Sequence, residues 1–139
     1  MCCLAREPKH AFTAFAVAFA EAHPDGAIVQ IHGFERMKRP PGAAREADII
    51  LSNGTRKPDT RLLDLADCLS LEMMPHRALV FPNETAELGA LGNAQAMALG
   101  DMGFDGFIHL ELSAELRAKL VKDEALFARF RGCLEKAAQ

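Results

Sequence analysis

Gly106-Phe107-Ile108-His109-Leu110-Glu111-Leu112 is the stretch on which the fold turns. It is short and apolar and is closed by Ser113, so it reads as a buried β-strand rather than a helix. Side chains alternate across a strand, which puts Phe107, His109 and Glu111 on one face and Ile108, Leu110 and Leu112 on the other. An acid in so apolar a strand needs a partner or a function, because an unpaired buried carboxylate is costly. Beyond the strand, Ser113 serves as the N-cap of a helix that turns Leu116 and Leu120 inward. Asp123 caps a last helix carrying Leu126, Phe130 and Leu134.

Upstream, helical and strand patterns alternate. Residues 11–23 read as a helix ended by Pro24-Asp25-Gly26, and residues 27–31 as a short buried strand running into His32-Gly33. Residues 34–46 read as a loop around Pro40-Pro41-Gly42, and residues 47–51 as a second strand ending in Ser52-Asn53-Gly54. Asp59 or Thr60 opens a helix with Leu62, Leu65, Ala66 and Leu69 as its stripe. Residues 78–81 form a third strand, and residues 89–99 read as a helix weakened by Gly92. This order predicts one α/β domain over residues 1–139, with a mostly parallel or mixed sheet flanked by helices. Ligands of such sheets sit beyond the carboxyl ends of strands, which points to His32-Gly33, Asn53 and the neighbourhood of Glu111.

Composition narrows the function classes. Half of the 139 residues are hydrophobic, enough for a core without any Trp or Tyr. A net charge of −3 argues against a nucleic-acid or membrane-surface binder, and no apolar run reaches membrane-spanning length. Cysteines 2, 3, 68 and 133 form no CxxC pair and are read as free thiols of a reducing, cytoplasmic compartment. The start of the chain has two readings. Arg6, Lys9 and His10 before an apolar stretch resemble an export signal, leaving an exported form open. Phe12, Phe15 and Phe19 recur at helical spacing, and this helix reading is preferred.

His32 closes an apolar strand before a glycine, where an imidazole can serve as metal ligand or base. A hydrogen-bonded histidine at a strand end fits the same residues. Glu35 or His109 could join His32 in a ligand set. Glu111 could do acid/base work or pair with Arg117. The basic residues between positions 36 and 57 suit an anionic ligand, with Arg36 the first candidate for gripping a carboxylate. Lys38, Arg39 and Lys57 read rather as ordinary solvated charges.

Taken together, Val29-Gln30-Ile31-His32-Gly33-Phe34, Asp48-Ile49-Ile50-Leu51-Ser52-Asn53-Gly54-Thr55, Leu88-Gly89-Ala90-Leu91-Gly92-Asn93 and Phe107-Ile108-His109-Leu110-Glu111-Leu112-Ser113 with Arg117 form a recognisable set. The set resembles the later half of zinc carboxypeptidase-like amidohydrolases, the group of the N-formylglutamate amidohydrolases and poly-γ-glutamate hydrolases. The resemblance implies a zinc-carboxypeptidase-like fold lacking its first half. It also implies zinc as cofactor, His32 as a zinc ligand and Glu111 as the general base; Arg36 from the basic loop, Asn53 from its strand end and Arg117 from the segment after Glu111 are the candidates toward substrate. An early His/Glu ligand pair, which the family pattern places well upstream of His32, has no counterpart here.

The expected function is therefore zinc-dependent hydrolysis of an amide or peptide bond next to a carboxylate, in a small carboxylate-bearing substrate or peptide. The alternatives are a noncatalytic remnant and a module that binds an anionic ligand. A half sheet is expected to cover its bare edge by homo-oligomerisation.

Overall fold

The computed structural model describes residues 9–139. Four strands form one open sheet in the order β1-β4-β2-β3: β1 is Ile28–Phe34, β2 Ile49–Ser52, β3 Ala78–Val80 and β4 Phe107–Ser113. β1 runs parallel to β4 and β2 parallel to β3, while β2 and β4 meet antiparallel. The protein is thus α/β with a mixed sheet flanked by helices.

The helices are α1 (Ala11–Ala22), α2 (Ala43–Glu46), α3 (Thr60–Glu72), α4 (Ala94–Asp101), α5 (Ala114–Leu120) and α6 (Glu124–Ala137). Local chemistry starts them where the sequence indicates. Asp59, Ser113 and Asp123 accept hydrogen bonds from the N–H groups of Leu62, Leu116 and Leu126, satisfying donors that a helix start leaves free.

β4 is interior and all seven of its residues are buried. On one side of the sheet, Ile49, Leu51, Val80, Ile108, Leu110 and Leu112 pack against Leu62, Leu65 and Leu69 of α3, Leu116 of α5, and Leu126 and Phe130 of α6. Each fully buried side chain of this kind contributes roughly 1.5–3 kcal/mol. α3 and α6 are also joined covalently: Cys68 and Cys133 form a disulfide, with Cα atoms 5.7 Å apart.

That bond corrects the free-thiol expectation for these two cysteines. Nothing in their spacing of 65 residues announces a pair; two helices packing on the same face of the sheet bring them together. Cys2, Cys3 and the first part of the signal-like stretch lie outside the described residues. Among the described residues, no helix is long and apolar enough to cross a membrane.

Two boundaries differ from expectation. β1 continues through His32 and Gly33 to Phe34, and the expected loop after it contains a 3-10 turn (Arg36–Lys38) and α2. α4 begins at Ala94 rather than near position 89. Leu88 and Ala90 take left-handed φ values of 60° and 54°, which no right-handed helix accommodates. Asn93 then caps the helix by accepting from the N–H of Ala96.

Candidate metal centre

The second face of the sheet is apolar only toward its two ends. Phe34, Ala44, Ala47, Ile50 and Leu79 cluster at one end, and Ala20, Leu99, Phe104 and Phe107 at the other. Between them runs a polar row built by the β1–β4 register, which sets Gln30 beside His109 and His32 beside Glu111. Since alternate residues share a face, Gln30, His32, His109 and Glu111 all point the same way.

The row is compact. The rings of His32 and His109 have centroids 4.9 Å apart at 39°, and His109 Nε2 lies 3.8 Å from Glu111 Oε1. One donor atom from each of His32, His109 and Glu111 can be chosen so that all lie within 4.8 Å of one another. A cavity of about 440 Å³ opens on these three side chains and is walled by residues of the 86–93 loop. The site therefore lies on the face of the sheet and not beyond its strand ends. Because β2 runs against β4, its carboxyl end meets His109, and the turn at Asn53 leaves the sheet at the opposite end from His32-Gly33.

Burial governs the charges here. It pushes the Glu111 carboxyl up to about 7, against the opposing pull of the Arg39 and Arg117 guanidinium groups. Burial, followed by the charge of His32, holds His109 down to about 4, and burial lowers His32 as well. His109 is thus neutral at pH 7, and its 3.8 Å approach to Glu111 is too long for a hydrogen bond. It is not a charge pair.

Three buried side-chain atoms among the described residues have no hydrogen-bond partner: His109 Nδ1, Glu111 Oε2 and Arg39 Nε. Two belong to the cluster, and the third belongs to an arginine whose charge acts on it. Unsatisfied buried polar atoms are uncommon and call for an explanation. Two imidazoles and a carboxylate make a donor set suited to zinc, which catalytic sites hold with about three protein ligands. A cation would also reverse the local preference for a protonated Glu111. The residues present fit a metal.

The remaining candidates are arranged differently. Arg36 pairs with Asp48 and Glu115, and Glu35 pairs with Arg117 at 3.9 Å rather than joining His32. Asn53 is engaged in its own turn, donating to the Lys57 carbonyl and the Asp59 carboxylate. Arg117 lies against Gly33, where an added Cβ would come within 2.5 Å of its Cζ. Arg39, read from sequence as a solvated charge, reaches Glu87 at 3.4 Å and influences Glu111. No spacing rule would have selected it, since the irregular segment between β1 and α2 delivers it.

A ladder of amides steadies the row from behind. Asn93 Nδ2 donates to Gln30 Oε1, Gln30 Nε2 donates to Gln95 Oε1 at 3.1 Å, and Gln95 Nε2 donates to Thr13 Oγ1 at 2.7 Å. It links α4 and α1 to the strand that carries His32.

No family model, curated protein or solved structure matches the chain.

Proposed function

We propose that the protein is a metal-dependent hydrolase of amide or peptide bonds next to a carboxylate, with zinc held by His32, His109 and Glu111. The observation that carries this reading is the coincidence of two unpartnered buried atoms, His109 Nδ1 and Glu111 Oε2, in one three-donor cluster. Zinc, when bound, supplies Lewis-acid polarisation of a carbonyl and lowers the pKa of water.

The chain's own groups do the rest. His32 and His109, kept neutral by burial, offer lone pairs without first losing a proton. Glu111 contributes the one negative charge of the set. Arg39 and Arg117 supply positive charge close enough to bias Glu111, and would hold the substrate carboxylate in the planar, two-pronged manner of a guanidinium. The same reading takes the sheet as the later half of a zinc-carboxypeptidase-like sheet, a relation that would instead make Glu111 the proton acceptor.

Metal titration with Glu111→Gln separates the two roles. Loss of zinc binding in Glu111→Gln, as in His32→Ala and His109→Ala, makes Glu111 a ligand. Retained zinc with lost cleavage of an acyl-glutamate amide makes it the base. A wild-type chain that takes up no zinc after chelator treatment and reloading sinks the hydrolase reading. Should that zinc-free chain still bind the amide, a binding module for anionic ligands remains, which the unpartnered Nε of Arg39 favours; binding neither leaves a noncatalytic remnant.

A further inference from the structure

We infer that β1 is a dimer seam, pairing antiparallel with β1 of a second copy about a two-fold axis through Ile31. The inference is independent of the metal reading. β1 is an edge strand of seven residues, without the charge or proline that usually guards an exposed edge. A hollow of about 410 Å³ borders it, lined by Val29, Gln30, Ile31 and His32 of the strand and by Phe12 and Ala16 of α1.

The backbone direction fixes the register. The N–H of Ile28 donates to Gly106 in front of β4, so the polar backbone groups of residues 28, 30, 32 and 34 face β4. Those of Val29, Ile31 and Gly33 face outward. An antiparallel mate overlaps all seven residues only if Ile31 meets Ile31, and that register also makes each outward residue part of a hydrogen-bonded pair. The strand carries no Lys, Arg, Asp or Glu, so a second copy meets no like charge there.

Area points the same way. Phe12, Phe15 and Phe19 of α1 are 61%, 72% and 39% exposed beside this edge, and Ile31 is 50% exposed. At roughly 200 Å² for a full Phe side chain, the three leave on the order of 300 Å² per copy. With the axis perpendicular to the sheet, both α1 helices lie on the same side of the seam. Doubling that area and adding the strand edges approaches the roughly 1,000 Å² of a specific interface. In this register Gln30 of the partner subunit stands opposite His32, so the second copy contributes a polar side chain beside the candidate metal site.

Sedimentation of the full chain tests the seam, with Ile31→Pro and Ile31→Lys as variants. Proline removes only an outward N–H and leaves the bonds to β4 in place, which edge strands tolerate. The wild type is expected to be dimeric at high micromolar concentration. Ile31→Pro is expected to weaken the dimer by roughly ten- to hundredfold, through loss of one hydrogen bond from each copy. Ile31→Lys places two ammonium groups on the axis and is expected to give a monomer with an unchanged circular dichroism spectrum; if the proline variant fails to fold, this one decides. A wild type that stays monomeric overturns the inference, as does a dimer that persists in the folded variants.

Discussion

The two faces of the sheet obey different rules. The face under α3, α5 and α6 is one continuous apolar cluster, from Val80 across Leu51 and Leu110 to Ile108, tied at its outer layer by the Cys68–Cys133 bond. The opposite face is apolar only at its ends and carries Gln30, His32, His109 and Glu111 across its middle. Both faces come from the same strands, one residue out of step. Stability and chemistry are therefore interleaved along β4 rather than assigned to separate segments. Substituting neighbouring positions should produce effects of opposite sign.

The largest expected effect is on the closed face. Replacing Cys68 and Cys133 by Ser opens a loop spanning 65 positions and should cost about 4 kcal/mol on the loop-entropy scale. Urea denaturation of the oxidised protein and the double variant measures it, and an unchanged midpoint would mean the bond constrains nothing. Leu110→Ala, at a fully buried position of the same cluster, should cost about 2–5 kcal/mol through lost contacts and a residual cavity.

The adjacent position should behave in the reverse way in metal-free protein. Glu111 has a raised folded-state pKa, so the folded state binds more protons than the unfolded one between about pH 4.5 and about 7. Its contribution is favourable below that window and is lost as the pH rises through it. Glu111→Gln should therefore stabilise the apo-protein at pH 8, by on the order of 1–3 kcal/mol, and gain little at pH 4.5. His109 has the opposite sign. Its lowered pKa makes the unfolded state the greater proton binder from about pH 6.5 down to about 4, so stability falls on acidification there. Thermal melts of wild type and Glu111→Gln at pH 4.5 and 8 check the sign. Equal shifts at both values would break the contrast between the faces.

Much of this contrast is legible in the sequence. The two-residue period of 107–112 gives the face assignment of His109 and Glu111, and the caps at Asp59, Ser113 and Asp123 mark helix starts that the structure places there. Other features depend on pairing in space. His32 reaches the cluster only through the β1–β4 register, which no local pattern encodes. The reversal of β2 carries the Asn53 turn to the opposite end of the sheet from His32-Gly33, and a sequence of alternating elements does not report strand direction. The loop at 88–90 is not legible because left-handed Leu88 and Ala90 carry side chains that ordinarily favour helix. Arg39 is not legible as a site residue because its charge acts on Glu111 across an irregular segment.

Gly33 and Arg117 illustrate how such an arrangement constrains drift. A methyl group at position 33 would displace the guanidinium that lies against the strand, and a displaced Arg117 would no longer offset the burial of Glu111 from the same place. Neither position can change alone without altering the other's surroundings. Among descendants of this chain the two should be inherited as a pair: a lineage that loses the arginine frees the glycine to vary, and one that keeps the arginine holds the glycine with it.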